Sequence, residues 1–133
     1  MNKIYKEFNE IENKIIEYIK KYLPFRKEHI LSTRELAVQI AKKYNVDIYK
    51  TSIAALCHDL GKRYKDEEMK KIIFECDNKK YPNYITGALL HARVSAIITE
   101  NEFGIKDKEI LDAIESHTVG HGNMSMLEKI IYA

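Results

Sequence analysis

Helical periodicity is the feature of this chain that most limits its fold. Apolar residues recur at three- and four-residue steps through most of its 133 residues, and only two prolines and five glycines interrupt them. This spacing places apolar side chains on one face of an α-helix, whereas a half-buried strand would show strict alternation. No segment of the sequence alternates convincingly. The sequence therefore predicts an all-α fold, a bundle of about six to seven helices with no sheet.

Proline and capping residues divide this pattern into helices. The first helix is expected over residues 2–22, because Pro24 disfavours helical backbone at the residue before it. A second helix begins near Lys27, and its inner face is expected to carry six residues: His29, Thr33, Leu36, Ala37, Ile40 and Tyr44. N-caps are expected at four positions: Asp47, Asp66, Asp107 and Ser125. Gly61 and Gly104 fit positions just past the ends of the third and fifth helices.

Composition excludes several classes of protein. The net charge is only +2, from 22 basic and 20 acidic residues, which argues against a dedicated nucleic-acid binder. No apolar run approaches the roughly 20 residues needed to cross a membrane. Met1-Asn2-Lys3 leads directly into an amphipathic pattern, so no signal peptide is expected. Cys57 and Cys76 form no C-x-x-C motif, so reduced thiols and a cytoplasmic location are expected. One domain over residues 1–133 is the expected organisation.

The histidines point to a metal centre. His58 and Asp59 end an apolar stretch, and three more histidines lie in or beside segments of helical periodicity: His29, His91 and His117. A helical bundle builds a metal site from ligands on different helices that all project inward. Imidazole nitrogen and carboxylate oxygen suit iron, manganese, zinc and similar ions. Buried histidines that only satisfy core hydrogen bonds are the alternative, while His121 is expected to be an exposed loop residue.

Several motifs resemble one branch of the HD-domain phosphohydrolase superfamily, the YqeK family of bacterial symmetrical dinucleoside tetraphosphate hydrolases. The matching strings are Arg26-x-x-His29, His58-Asp59-Leu60-Gly61-Lys62, Leu90-His91-Ala92, Asp112-Ala113-Ile114, His117-Thr118-Val119-Gly120 and Leu127-Glu128-Lys129-Ile130-Ile131-Tyr132. The resemblance runs from about residue 24 to the last residue. Ala92-Arg93 and Ser95 depart from the family pattern, which bears on how a nucleotide would sit against the fifth helix.

The resemblance implies a hydrolase that cuts diadenosine tetraphosphate symmetrically into two ADP. It implies a metal ion held by His29, His58 and Asp59, with iron first among the candidates and manganese or another transition metal as alternatives. The implied catalytic residues are Asp59, Lys62, His91 and His117. The implied substrate-binding residues are Arg26, Ser32, Lys62, His91, Arg93, His117 and Thr118. Either His91 or His117 could protonate the leaving phosphate, since histidine titrates near neutrality.

Several of these residues also have a purely structural interpretation. Lys62 and Arg93 could be solvated surface cations, Ser32 an ordinary helix residue, and Thr118 a cap for the loop after His117. At the level of the whole protein, the alternatives are another HD activity, namely a nucleotidase or a cyclic-dinucleotide phosphodiesterase, and a non-catalytic nucleotide- or metal-binding helical domain. The expected partner is a small nucleotide, with no nucleic acid and no membrane. A homodimer through the apolar first helix is an open alternative.

The end of the chain carries a further expectation. In the resembled family a closing aspartate follows the Ile-Ile-Tyr segment, but here Ala133 follows Tyr132 and the sequence stops. Asp107 and Asp112 precede His117 and cannot take that place. We therefore expect a truncated chain whose native form continues for several dozen residues, with weakened metal binding and poor activity. The apolar face of the last helix should be partly uncovered and should favour self-association.

Overall fold

The computed structural model describes residues 3–78, 87–117 and 124–132, and within these ranges the all-α prediction is confirmed, with no strand. The helices are α1 (Lys3–Tyr22), α2 (Lys27–Lys43), α3 (Ile48–Cys57), α4 (Asp66–Asp77), α5 (Gly87–Phe103), α6 (Lys108–Ser116) and α7 (Met126–Tyr132). Two short 3-10 turns, Pro24–Arg26 and Leu60–Arg63, join α1 to α2 and α3 to α4. The expected polar loop after α4 lies mostly outside the described residues, as does the start of the fifth helix near Tyr84.

Three of the four expected N-caps are confirmed. Asp47 and Asp107 each accept hydrogen bonds from two backbone N–H groups of the helix that follows. Ser125 and Glu128 form a reciprocal capping box, with Ser125 Oγ accepting from the Glu128 N–H at 3.1 Å. The expected cap at Asp66 is wrong by one residue. Lys65 is the N-cap of α4, and its N–H donates to Glu68 at 3.0 Å, so the negative charge of Asp66 lies inside the first turn.

The expected inner face of α2 is confirmed at Ala37 but is wrong at Leu36 and Tyr44. The buried positions are Ile30, Ala37 and Ala41, whereas Leu36 and Tyr44 are exposed. One residue corresponds to a rotation of about 100° around a helix axis. Helix α2 packs mainly against α3, and this packing, with Ala37 and Ala41 turned inward, sets the rotation.

Helix α3 forms the centre of the bundle. Every residue from Thr51 to Cys57 is buried, and α3 is packed against α1, α2, α5, α6 and α7. Its periodicity is weak because it is surrounded by protein on all sides. Apolar residues of α7 cover part of it. The expectation of a partly uncovered apolar face on the last helix is wrong for Leu127, Ile130 and Ile131, which are all buried, whereas Met126 and Tyr132 are exposed.

Helix α1 packs against the bundle of its own chain through Ile15 and Ile19, which are buried. It also holds the turn that follows α3. The guanidinium of Arg63 lies 3.7 Å from the centroid of the Tyr22 ring, and its Nη1 donates to the hydroxyl of Tyr18 at 2.9 Å. Across the described ranges, α1 included, no helix has the length and apolar character needed to cross a membrane.

Gly104 is confirmed as the residue that stops α5, with a left-handed φ of 66°. Gly61 has a different task from the one expected. It lies inside the 3-10 turn, where a Cβ atom would stand 2.6 Å from the backbone oxygen of His91. Its N–H donates to Ser95 Oγ at 2.8 Å. Gly61 is therefore a point of close approach between the turn after α3 and helix α5.

Candidate metal centre

The site is built around Asp59, which directly follows His58 at the end of α3. Its side chain is 3% exposed. Central helix α3 ends here, and the 3-10 turn stacked on α5 fixes where the carboxylate can point. A buried carboxylate has to be paired, because an isolated charge in a protein interior is strongly destabilising. The surroundings of Asp59 therefore define the chemistry of the site.

Four imidazoles from four parts of the chain surround this carboxylate. The Nε2 atoms of His29 and His58 each lie 3.5 Å from Asp59 Oδ2. The Nε2 atoms of His91 and His117 lie 3.5 and 3.9 Å from Oδ1. The structure thus brings together the four histidines that the sequence singled out. Within the described ranges they form two potential ligand groups that share Asp59, one with His29 and His58 and one with His91 and His117.

Backbone hydrogen bonds set the direction of three of these rings. The Nδ1 atoms of His58, His91 and His117 lie 2.5, 2.9 and 2.6 Å from the carbonyl oxygens of residues three or four positions earlier. A carbonyl can only accept, so each Nδ1 carries the hydrogen. In the neutral ring, Nε2 then carries a lone pair that faces Asp59. Metal-binding histidines are commonly oriented by such a bond on their other nitrogen.

This donor set fits a cation. The Nε2 atoms of His91 and His117 are 3.0 Å apart, and with hydrogen on both Nδ1 atoms their lone pairs repel unless a positive charge lies between them. Nε2 of His29 and both Asp59 oxygens add further acceptors to the same space. Several nitrogens and a carboxylate around one point are suited to a transition metal ion. The residues present therefore fit the metal that the resemblance implies.

Electrostatics keep the site ready for a cation. Burial would raise the pKa of Asp59, but the contact with His91, the positive charge that His58 carries when it is protonated, and the hydrogen bond from Arg26 outweigh burial and hold that pKa well below its usual range. Burial lowers the pKa of His117 to about 4 and also lowers the pKa of His58, despite the backbone bonds and the Asp59 charge that act in the opposite direction. At neutral pH the site therefore has an ionised carboxylate beside neutral imidazoles at positions 58 and 117.

Two cations lie beside the carboxylate. Arg26 Nη2 donates to Asp59 Oδ2 at 2.6 Å, while Arg26 Nε is buried and has no acceptor within the described part of the chain. Lys62 is exposed and contributes to the low pKa of Asp59. A buried N–H without an acceptor is uncommon in folded proteins, so Arg26 can still donate a hydrogen bond from Nε to a ligand oxygen.

The other residues that the sequence singled out do not contact Asp59 in the described part of the chain. Ser32 is exposed on α2, one turn after His29. Arg93 is engaged by Asp77 at 3.2 Å and by Glu115 at 3.6 Å. Thr118 and His121 lie outside the described residues.

Two contributors to the site were not found by sequence reasoning. Ser95, noted only as a departure from the family pattern, is fully buried and anchors Gly61. Phe25, for which the sequence indicated no role in the site, is 72% exposed and lines a cleft beside Arg26. A glycine two residues after a His-Asp pair hints at close approach, but its partner on α5 can be identified only from the fold.

Comparison with known proteins places this site in a family. The HD domain family model matches residues 26–133. A symmetrical bis(5'-nucleosyl)-tetraphosphatase from Halalkalibacterium halodurans is 37% identical over 120 residues, which cover 90% of this chain and 64% of that protein. The protein of the same description from Bacillus subtilis is 38% identical over 107 residues, which cover 78% of this chain and 56% of the relative.

A solved structure agrees with these sequences. A "predicted HD superfamily hydrolase involved in NAD metabolism" from Clostridium acetobutylicum superimposes with a TM-score of 0.78 at 35% identity, over 90% of this chain and 65% of the other. This chain thus spans 56–65% of the length of these three proteins. Because the family match covers the histidines and the aspartate of the site together with most of the bundle, the chain belongs to the HD domain family.

Proposed function

We propose that this protein is a metal-dependent phosphohydrolase that cleaves diadenosine tetraphosphate symmetrically into two ADP. The observation that carries the proposal is the convergence of His29, His58, His91 and His117 on the buried carboxylate of Asp59. The relatives described as symmetrical bis(5'-nucleosyl)-tetraphosphatases supply the substrate class. The cofactor is a transition metal ion, with iron as our first choice and manganese as the next. The free cysteines suit a reducing cytoplasm.

In this proposal His29, His58 and Asp59 hold the ion. When bound, such an ion polarises a phosphate oxygen and lowers the pKa of a coordinated water. His58 is pre-oriented for this role by its bond to the Ala55 carbonyl. His29 is half-exposed, so its side chain lies where ligand and solvent can reach the site.

The other charged residues bind and protonate the substrate. Arg26 holds Asp59 with Nη2 and offers Nε to a phosphate oxygen, and Lys62 neutralises further phosphate charge. His91 or His117 takes up the proton of the attacking water on Nε2, whose lone pair faces the site, and passes that proton to the leaving phosphate as it departs. Ser32, Arg93 and Thr118 are kept as further phosphate contacts. For Arg93 this requires release from Asp77 and Glu115.

Product analysis tests the activity. The purified protein, supplied with iron or manganese, should convert one diadenosine tetraphosphate into two ADP, as measured by anion-exchange chromatography. Asp59→Asn should abolish the reaction because it removes the charge but keeps the shape. Asp112→Asn is the matched control, since Asp112 pairs only with exposed Lys108 among the contacts described. Formation of AMP and ATP, or cleavage of mononucleotides alone, would contradict the proposal.

Elemental analysis tests the ligand assignment. Removal of a ligand should abolish metal occupancy in His58→Ala and Asp59→Ala, whereas His117→Ala should keep the metal and lose turnover. Loss of the metal in His117→Ala together with its retention in His58→Ala would overturn this assignment.

A further inference from the structure

A cleft of about 500 Å³ opens beside the candidate metal centre. Eight residues line it: Phe25, Arg26, Lys62, Tyr64, Asp66, Met69, Gly87 and His91. The volume lies within the ~300–1,000 Å³ typical of small-molecule sites. Arg26, Lys62 and His91 belong to the phosphate and metal chemistry proposed above. The rest of the wall has a different character, because it combines aromatic and apolar side chains with one carboxylate.

The cleft has two chemically distinct parts. Arg26 and His91 both contact Asp59 and mark the metal end. Gly87 lies one turn before His91 on α5, and a Cβ added to it would stand 2.7 Å from Asp66 Oδ1 and 3.4 Å from Met69 Cε. Asp66 and Met69 are therefore displaced by about 6 Å along α5 from the level of His91. A carboxylate there would repel phosphate but would accept hydrogen bonds from N–H or O–H groups.

Aromatic rings complete this second part. Phe25 precedes Arg26 directly, and its side chain is 72% exposed, so its faces are available to a ligand. Tyr64 is steadied by Arg63, whose guanidinium lies 4.6 Å from the Tyr64 ring centroid. Aromatic rings stack on nucleobases with useful affinity because every base has a π-face.

We infer that this part of the cleft binds the nucleoside of the substrate. The base stacks on Phe25, Met69 forms apolar floor, and Asp66 accepts a hydrogen bond from an N–H or O–H of the nucleoside. The polyphosphate then runs toward Arg26 and Lys62 at the metal end. This inference rests on the proposed function and extends it by naming the residues that distinguish a nucleotide from a bare polyphosphate.

Calorimetric titration with two probes tests the subsite, using ADP and inorganic tripolyphosphate in the same metal-containing buffer. Phe25→Ala should weaken ADP binding by about tenfold and leave tripolyphosphate binding unchanged. Phe25→Tyr should restore ADP affinity because it keeps an aromatic ring. Tyr44→Ala is the matched control, since Tyr44 is another exposed aromatic residue, 56% exposed at the far end of α2. It should bind both probes like the unaltered protein.

The outcomes separate the subsite from the activity. Equal loss of affinity for both probes in Phe25→Ala, no loss for either, or failure of the unaltered protein to bind millimolar ADP would overturn the subsite. Two ADP released from diadenosine tetraphosphate, with ADP affinity indifferent to Phe25, would leave the proposed function standing and remove the subsite. Selective loss of ADP binding without hydrolysis would support the subsite and refute the proposed function.

Discussion

Replacing Gly61 with alanine should separate the turn after α3 from helix α5 and damage the metal centre. The new Cβ would stand 2.6 Å from the backbone oxygen of His91 and 3.1 Å from Ser95 Oγ. Ordinary van der Waals contact needs several tenths of an ångström more. The nearest atom belongs to helical backbone and not to a flexible side chain, so the turn itself has to move. That movement carries Asp59 away from His91, whose Nε2 is now 3.5 Å from the carboxylate.

The expected loss of stability is about 1–3 kcal/mol, the usual range for overpacking a close-packed interior. Alanine restricts the unfolded chain and recovers at most about 1 kcal/mol of this. The steric cost therefore exceeds the gain from the restricted unfolded chain, and Gly61→Ala should be destabilising. The 2.8 Å hydrogen bond from the Gly61 N–H to Ser95 Oγ should be strained as well. The melting temperature should fall on the order of 4 °C per kcal/mol for a chain of this length.

Gly104→Ala provides a matched control. Gly104 has a left-handed φ of 66° with nothing within 4 Å of an added Cβ, so alanine there costs roughly 1–2 kcal/mol of backbone strain without touching the site. Urea unfolding should show both variants destabilised to a similar degree. Metal titration should show weakened binding only for Gly61→Ala. Full metal affinity and turnover in Gly61→Ala would refute the argument that this contact positions Asp59.

Three further results are expected. The pKa of His117 in the folded protein is about 4, below its ordinary 6.5, so the unfolded chain binds a proton that the folded chain excludes. Urea unfolding of the metal-free protein should therefore show the free energy of unfolding falling by up to about 3 kcal/mol as the pH is lowered from about 6.5 to 4. This pH dependence should shrink in His117→Gln, and an unchanged dependence would contradict the assignment. Ser95→Ala should cost about 1–3 kcal/mol in the same assay, because it strips the buried Gly61 N–H of its acceptor, and a neutral result would mean that another group takes over. Asp47→Ala should cost about 0.5–2 kcal/mol as a lost N-cap while metal content measured by elemental analysis stays constant, and a fall in metal content would show that α3 transmits strain to the site.

Local chemistry made much of this structure predictable from the sequence. Asp47, Asp107 and Ser125 cap their helices because their side chains bond backbone groups two or three residues away. Gly104 stops α5 because few other residues tolerate its backbone conformation. Helical spacing and a family resemblance together identified the four histidines as one group, and the structure brings them together around Asp59.

Features that depend on packing between helices were not predictable in this way. The rotation of α2 follows from its contact with α3, which sequence periodicity cannot resolve to one residue. The task of Gly61 depends on a backbone oxygen 30 residues later in the chain. Arg93 was expected to face phosphate, yet carboxylates on α4 and α6 engage it, and only the three-dimensional arrangement brings those helices to it.

The contacts of Arg63 with α1 link a helix that lies outside the family match to the metal centre, which lies inside that match. Tyr18 and Tyr22 hold Arg63, and that residue ends the turn that begins directly after Asp59. Any ligand that fixes Asp59 also fixes this turn. Binding at the metal centre and docking of α1 are therefore linked by a single coupling free energy. Amide hydrogens of α1 should therefore exchange more slowly once an ion is bound, and an undocked α1 should weaken the hold on that ion by the same factor. The stability of the docked amino-terminal helix would then report whether the metal centre, at the other end of this turn, is occupied.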